Sequence, residues 1–162
     1  MATTSHIHVR PLEIGDFDFV RNLASKQPNF TVPPVYVLWL MLRIEGAICL
    51  VAEHSSKGQL GYLLSVPVKG PRRSIFVWQL AVQSDSADTN PAIALLSEFR
   101  REITQSSIHD VLFSTVPQSA AFRTIRRYAL KVFSSVPQRT SALPTTVAAT
   151  ESEFLLRLSD AQ

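Results

Sequence analysis

The chain has 162 residues, of which 46% are hydrophobic and 18% are charged. This composition excludes an intrinsically disordered protein, and the length predicts a single domain over residues 1–162 with a substantial core. The formal net charge is +3, with the lysines and arginines scattered in ones and twos. We therefore expect no nucleic-acid partner, because nucleic-acid binding needs cations clustered on one face.

The N-terminal segment lacks the apolar stretch of a signal peptide, and the longest apolar stretch, Val35–Leu42, is too short to cross a bilayer. We expect a cytoplasmic protein with no membrane partner. The single cysteine, Cys49, lies in an apolar run and is expected to be a buried thiol. The four histidines lack the spacing of metal ligands, so no metal is expected, although His54 follows a predicted strand and could face a cleft.

The first third of the chain predicts one strand and two helices. Apolar residues alternate with polar ones over His6–Pro11, which is typical of a strand. Asp16 is positioned to cap a helix over Phe17–Ser25. Three prolines predict a loop over residues 27–34, and the apolar segment Val35–Ile44 predicts a short helix.

Three strands are predicted next, over Ala47–Glu53, Leu60–Val68 and Ser74–Val82. The segments that join them have the composition of turns, so the three strands should form an antiparallel meander. A polar loop follows, and Asn90 with Pro91 then predicts the capped start of a helix.

The last third predicts a strand over Val111–Val116, a helix over Ala120–Val132 and a final strand over Glu153–Leu158. The intervening residues 134–150 are rich in Ser, Thr and Pro and are expected to be irregular. The whole order, β-α-α-β-β-β-α-β-α-β, predicts an α+β fold with one mixed, mostly antiparallel sheet flanked by about four helices.

One predicted strand carries a specific resemblance. Phe76–Val82 reads FVWQLAV and resembles the FVWQVAV strand of the diaminobutyrate acetyltransferases of ectoine synthesis, within the Gcn5-related N-acetyltransferase (GNAT) superfamily. Cys49–Glu53 resembles the CVVAE segment of that family, Arg126–Ala129 resembles its RRLA segment, and Glu151–Arg157 resembles its last strand. The resemblance spans about residues 7–158 and is most specific at FVWQ.

The resemblance implies a GNAT fold and an enzyme that moves an acyl group from acetyl-CoA, or another acyl thioester, to a small amine. In such a fold the loop and helix after the fourth strand bind the cofactor pyrophosphate, and the backbone near Leu80 and Val82 binds the thioester arm. Thr89 and Asn90 would supply hydrogen bonds to the pyrophosphate, and Gln118 takes the position of an asparagine that binds cofactor in the family.

The pyrophosphate loop departs from the pattern of the superfamily, which reads roughly Arg/Gln-x-x-Gly-x-Gly/Ala. Ala87 takes the usual arginine position, Asp88 and Asn90 take glycine positions, and Pro91 removes an N–H donor. The carboxylate of Asp88 would repel a pyrophosphate. Loss of two charge-assisted hydrogen bonds costs roughly 3–6 kcal/mol, so we expect weakened acetyl-CoA binding.

The acceptor side keeps part of the diaminobutyrate pattern, Asp-x-Asn-Ser-x-Tyr. Tyr36 matches the tyrosine, whereas Thr31, Pro33 and Pro34 replace the other three residues. The C-terminal His-x-x-Glu of the family keeps only its glutamate, Glu153. The resemblance therefore implies a small amine or amino-acid-like substrate other than diaminobutyrate.

The resemblance implies two candidate catalytic residues, Tyr36 and Glu153, and four candidate substrate-binding residues, Thr31, Tyr36, Trp78 and Gln79. Each has a plainer interpretation: Trp78 and Gln79 as core packing, Tyr36 as a rim aromatic and Glu153 as a solvated acid. Arg123, Arg126, Arg127 and Lys131 form a basic stripe at helical spacing, which is either a solvated helix face or a site for phosphate or an acidic carrier protein.

Three functional interpretations stay open at this point. The chain is an acyltransferase that uses acyl-CoA, an enzyme whose substrate is bound to an acyl carrier protein or needs no CoA, or a catalytically degenerate binding or regulatory module. A homodimer is a further expectation, because homodimers are common in the family.

The altered loop generates a prediction. The triple substitution Ala87→Arg, Asp88→Gly and Asn90→Gly restores the superfamily pattern and should strengthen CoA binding at least tenfold, since it removes one repulsive charge and adds one attractive charge. Calorimetric titration of both proteins with free CoA measures the change. An unchanged affinity would mean that this loop is not a CoA site.

Overall fold

A computed structural model describes residues 6–70, 72–84, 90–116, 118–142 and 152–158. The strands are β1 (Ile7–Pro11), β2 (Ile48–His54), β3 (Gly58–Val68), β4 (Ser74–Val82), β5 (Asp110–Thr115), β6 (Gln138–Ala142) and β7 (Ser152–Arg157). The helices are α1 (Phe17–Ser25), α2 (Val35–Met41), α3 (Pro91–Gln105) and α4 (Ala120–Phe133), with a short 3-10 helix, Ile14–Asp16, before α1.

The strands form one seven-stranded sheet in the order β1-β2-β3-β4-β5-β7-β6. Strands β2 to β4 are an antiparallel meander, β1 is antiparallel to β2, β4 and β5 are parallel, and β7 is antiparallel to both β5 and β6. Parallel neighbours need a crossover, which α3 supplies. The predicted α+β fold with one mixed sheet and four helices is confirmed.

The two faces of the sheet carry two separate apolar cores. One face packs against α3 and α4, where Leu95, Phe99 and Ile103 of α3 are fully buried. The other face packs against α1 and α2, with Val20 and Leu38 fully buried. The helical spacing of these residues explains why each helix turns one apolar face to the sheet. Within the described ranges, no helix is long and apolar enough to cross a membrane.

Two elements differ from their predictions. Residues 138–142, expected to be irregular, form β6, because Gln138 and Arg139 pair with Leu155 and Phe154 of β7. This partner lies more than ten residues away and leaves no local sequence signal. Residues 143–150 lie outside the described residues. Helix α2 ends at Met41 rather than Ile44, and the chain turns through Gly46, which has a φ of 83°.

Asp16 was expected to cap α1, but its side chain makes no cap hydrogen bond there. It is only 3% exposed and instead accepts two hydrogen bonds from the Arg10 guanidinium, both 2.8 Å long. Gln59 Nε2 and the backbone N–H of Glu13 donate two more, and Arg10 also binds Glu53. This cluster joins β1, β2, β3 and the start of α1. The Asp16 carboxylate therefore makes tertiary hydrogen bonds instead of the cap of α1 that the local sequence predicted.

Asp16→Asn should lower the free energy of unfolding by about 2 kcal/mol, because a half-buried arginine loses its bidentate partner. Burial raises the pKa of Asp16, but hydrogen bonds from Arg10, Glu13 and Gln59 outweigh it and hold the pKa below its usual value of about 3.9. The stability from this carboxylate is therefore present above about pH 4 and is lost as the pH falls further. Urea unfolding between pH 3 and pH 7 tests this.

The matched control is Asp18→Asn, since Asp18 is exposed in the first turn of α1. It should change stability by less than about 1 kcal/mol. Equal losses in the two variants, or identical acid sensitivity in Asp16→Asn and the unsubstituted protein, would contradict the prediction.

Candidate functional site

Strands β4 and β5 separate part-way along their length. Their parallel pairing runs from Ser74 opposite Asp110 to Val77 opposite Phe113, the last pair among the described residues. The opposite edge of β4 pairs with β3, and in that pairing Gln79 lies opposite Leu64 and Val77 opposite Ser65. Trp78 is therefore an extra residue of β4 without a partner in β3. Such a β-bulge bends the strand that contains it, so the carboxyl-terminal half of β4 diverges from β5.

A cavity of ≈ 330 Å³ occupies the gap between the two strands. Leu96, Phe99 and Ile125 line it from the side of α3 and α4, whereas Phe30 and Trp78 line it from the side of α1 and α2. In a continuous sheet the paired backbones would keep these two sides apart. Here the gap joins them, so two molecules entering from opposite faces could meet inside it.

The backbone of β4 offers hydrogen-bonding groups to this gap. The N–H of Gln83 donates to the carbonyl of Leu60 at 2.8 Å, so Gln83 directs its backbone groups toward β3. Ala81, two residues earlier, does the same. Because successive residues of a strand direct their backbone groups to opposite edges, Leu80 and Val82 direct theirs toward β5. Both residues also line the cavity.

Gln79 is 4% exposed, and both ends of its side chain are bonded to the protein. Its Oε1 accepts a hydrogen bond of 2.9 Å from the hydroxyl of Tyr62, which is fully buried. Its Nε2 donates to the backbone carbonyl of Thr31 at 2.8 Å. Gln79 therefore anchors the loop between α1 and α2, and that loop contributes Phe30 to the cavity wall. Direct substrate binding by its amide stays a prediction.

The structure brings only some of the predicted acceptor residues to the cavity. Trp78 lines it. Thr31 is exposed and lies at the anchored end of the loop. Tyr36 is 66% exposed and stacks on Trp39, with 5.9 Å between ring centroids. Neither Tyr36 nor Glu153 is among the residues that line the cavity.

Glu153 lies next to the cavity wall rather than in it. Its register partner in β5 is Ser114, so the two side chains share one face of the sheet, and Ser114 lines the cavity. The hydroxyl of Thr140 donates to Oε1 of Glu153 at 2.9 Å. This hydrogen bond comes from β6, the strand that was not predicted.

The helix α3 begins at the end of the sheet where β4 and β5 are apart. Asn90 is its N-cap, as predicted, with a φ of 45° and its side chain accepting a 3.4 Å hydrogen bond from the N–H of Ile93. Pro91 occupies the first helical position and has no N–H. Thr89, Ala87 and Asp88 lie outside the described residues.

Gln118 is exposed at the start of α4, with a φ of 61°, and its carbonyl accepts a hydrogen bond of 2.9 Å from the Arg123 guanidinium. The N-cap of α4 is the neighbouring Ser119, whose hydroxyl accepts from the N–H of Phe122 at 3.0 Å. We had not singled out Ser119, although a serine before an apolar helix is a recognisable cap signal.

Sequence analysis also missed much of the cavity wall. Ala121, Thr124, Ile125 and Tyr128 of α4 all line it. Their spacing of three and four residues places them on one face of the helix. That spacing was visible in the sequence, but only the separation of β4 from β5 shows that this face borders a cavity.

Across residues 6–70, 72–84, 90–116, 118–142 and 152–158, Cys49 and His54 do not form a second centre. Cys49 is a buried thiol, as expected, and burial raises its pKa to about 11, so it is a poor nucleophile. His54 is buried, and its Nδ1 accepts a hydrogen bond of 3.2 Å from the N–H of Ser56. In the part of the chain that is described, no group of three or more His, Cys, Asp or Glu could hold a metal ion.

No family model and no curated protein sequence matches the chain. Solved structures do match. Ard1 from Thermoplasma volcanium superposes with a TM-score of 0.77 at 13% identity, over 95% of this chain and 99% of that one. The diaminobutyrate acetyltransferase EctA from Paenibacillus lautus, in complex with L-2,4-diaminobutyric acid and coenzyme A, gives 0.76 at 19% identity, over 98% and 99%. The chain has the GNAT fold.

A third GNAT-fold structure, the ribosomal-protein-S18-alanine N-acetyltransferase from Escherichia coli, gives a TM-score of 0.68 at 15% identity, over 97% of each chain. At these identities the similarity establishes the fold alone. One fold hosts many activities, so the activity of this chain has to be argued from its own cavity.

The anchoring role of Gln79 can be tested by substitution. Gln79→Leu has a similar volume but leaves the Tyr62 hydroxyl and the Thr31 carbonyl without partners, which should cost about 2–4 kcal/mol of stability. Backbone amides of residues 27–34 should also exchange hydrogen faster, because the loop loses its attachment. Urea unfolding and hydrogen exchange measure both effects.

Gln83→Leu is the matched control, since Gln83 is exposed and its Nε2 donates to the Gln59 carbonyl at 3.0 Å. It should cost less than about 1 kcal/mol and leave the exchange of residues 27–34 unchanged. A Gln79→Leu protein with unchanged exchange in that loop would overturn the anchoring role.

Proposed function

We propose that the chain is an N-acyltransferase that accepts a thioester donor along β4 and a small amine from the side of α1 and α2. The observation that carries this proposal is the cavity between β4 and β5, which joins the two faces of the sheet. Two substrates that enter from opposite faces need no common entrance, and their reacting atoms are held together in a confined space.

The donor side suits the arm of an acyl thioester. Amides in such an arm can pair with the backbone groups that Leu80 and Val82 direct into the gap, as an additional strand would. The apolar side chains of Leu96, Phe99 and Ile125 cover the other side of the arm. This half of the cavity therefore fits an extended chain that is apolar apart from its amides.

A bound thioester supplies an activated acyl carbon: the amine nitrogen bonds to it, the carbon–sulfur bond breaks, and the sulfur leaves as a thiol with the proton that the amine gives up. One N–H group of this strand edge, at Leu80 or Val82, would donate to the oxygen as it gains negative charge. Gln118 would contact the arm from the start of α4.

The substrate amine is protonated at neutral pH and must lose one proton before it can attack, in addition to the proton that later leaves with the thiol, so a group of the protein has to receive that first proton. We assign this role to Glu153, whose carboxylate is held by Thr140 beside Ser114 of the cavity wall. Trp78 would pack against the acceptor. Tyr36 and Thr31, both exposed on the same side, would contact it at the entrance.

The acceptor we propose is a small amine or amino-acid-like molecule. Among the described residues, we assign one carboxylate, Glu153, to the acceptor side, so this side suits a substrate with one ammonium group better than a diamine. We propose for that reason that diaminobutyrate, which the GNAT-fold enzyme from Paenibacillus lautus binds, is not the substrate.

A non-catalytic binding module is the second candidate, and the observation that favours it is the absence of Tyr36 and Glu153 from the described cavity wall. Such a module would bind a small ligand in the cavity without turnover. An assay of thiol release separates the two candidates. The protein is incubated with acetyl-CoA and a panel of amines, and the thiol released is measured. Thiol release that requires an amine supports the enzyme.

Ala121→Trp tests whether the cavity is the donor site. Ala121 is exposed but lines the cavity, so an indole there should fill it while the fold tolerates the change. We expect binding of acetyl-CoA, or thiol release from it, to fall at least tenfold because the two would overlap sterically. Titration calorimetry and the thiol assay measure this.

Ala120→Trp is the control, because Ala120 is also exposed on the first turn of α4 and does not line the cavity. It should behave like the unsubstituted protein in both assays. Equal behaviour of the two tryptophan variants would place the donor elsewhere.

A further inference from the structure

The exposed side of α4 carries four cations around one apolar residue. Arg123, Arg126, Arg127 and Lys131 are all exposed, and Leu130 between them is 50% exposed. Their spacing of three and four residues places them along one side of the helix. We name this surface the α4 basic face.

No acid offsets this charge in the sequence around it. Between Asp110 and Glu151 the chain contains five cations, the four above and Arg139, and no aspartate or glutamate. Arg139 pairs with Phe154, whose ring stacks on Phe122 of α4, so Arg139 extends from the same side of the sheet as the helix.

Little of this charge is used within the protein. Arg123 donates to the Gln118 carbonyl, and the Arg127 guanidinium lies 5.5 Å from the Tyr128 ring centroid. Among the described residues, neither Arg126 nor Lys131 forms an ion pair. The face is therefore available to a negatively charged partner.

The α4 basic face borders the mouth of the cavity. Helix α4 starts just after β5 ends, at the same end of the sheet where β4 and β5 are apart. The opposite side of this helix lines the cavity through Thr124, Ile125 and Tyr128. A partner seated on the face is thus one helix diameter, about 10 Å, from the donor cavity.

The start of α3 is poorly equipped for the pyrophosphate of a free nucleotide cofactor. Pro91 has no N–H, and the N–H of Ile93 is already bonded to Asn90. The loop sequence before it contains Asp85 and Asp88 and no lysine or arginine over residues 83–90. A thioester arm borne by a carrier protein has a single phosphodiester in place of a pyrophosphate and a ribose phosphate, so it needs fewer donors there.

We propose that the α4 basic face docks an acidic carrier protein, which presents its acyl thioester on a phosphopantetheine arm to the cavity. The proposal rests on the acyltransferase function proposed above and names its donor. In the transfer, the amine nitrogen bonds to the acyl carbon, the carbon–sulfur bond breaks, and the thiol stays on the carrier with the amine proton. The exposed Leu130 is surrounded by cations, and an apolar centre with a charged rim is typical of a protein interface.

The probe is a purified acidic acyl carrier protein loaded with an acetyl thioester, titrated into the chain at 50 mM and 200 mM salt. Arg126→Glu with Arg127→Glu should weaken binding at least tenfold and reduce its salt dependence. The control, Lys69→Glu with Arg73→Glu, makes the same change in net charge at exposed positions at the other end of β4 and should change the affinity less than twofold.

Three results would overturn the docking proposal: no carrier binding at 50 mM salt, equal affinity of the Arg126/Arg127 variant and the unsubstituted protein, or tighter binding of a duplex DNA or RNA fragment than of the carrier. Amine acylation from acetyl-CoA, without carrier binding, would refute the docking and keep the acyltransferase. Carrier binding through the face, with no acylation from either donor, would support the docking surface and refute the acyltransferase.

Discussion

The separation of β4 from β5 is the constraint on which the rest of the site depends. A parallel pair would normally continue to the ends of both strands, because each backbone group left unpaired in a buried place costs free energy. Here the pairing stops at Val77 and Phe113, and the extra residue Trp78 bends β4 away. The backbone of Leu80 and Val82 is then open toward a cavity that reaches both faces of the sheet. In the proposed function, a bound molecule with its own amides would satisfy these groups.

Buried polar contacts hold this opening in shape. Tyr62, Gln79 and the carbonyl of Thr31 form a chain of hydrogen bonds from the centre of the sheet to the loop that covers one side of the cavity. At the far edge, the Arg10 and Asp16 cluster joins three strands to the start of α1. Both clusters are almost fully hydrogen-bonded, which is the condition under which buried polar groups rigidify a core rather than weaken it. A preorganised gap between rigid walls is what an acyl transfer between two bound partners requires.

In the proposed function, the two substrates would face different surfaces of the same fold. On the acceptor side the surroundings are aromatic, with Trp78 and Phe30, and contain one carboxylate nearby. On the donor side an apolar groove lies between α3 and α4, and the outer surface of α4 is basic without a single acid. The α4 basic face and the mouth of the cavity thus lie at the same end of the sheet. The helical spacing of these cations was visible in the sequence, but their position beside the cavity was not. This proximity is what makes a charged donor partner a physical proposal.

The order of the elements other than β6, the antiparallel meander, the Asn90 and Pro91 helix start and the buried Cys49 were all determined by local patterns in the sequence, since apolar periodicity and cap residues act over a few neighbours. The FVWQ segment added the fold and a candidate site. Tertiary structure alone decided three matters: that Asp16 binds Arg10 instead of capping α1, that residues 138–142 pair with β7, and that Gln79 holds a loop. Each depends on a partner far away in the chain, which no local pattern encodes. The separation of β4 and β5 belongs with them, because a bulge is defined by the register of two strands and has no signature in one.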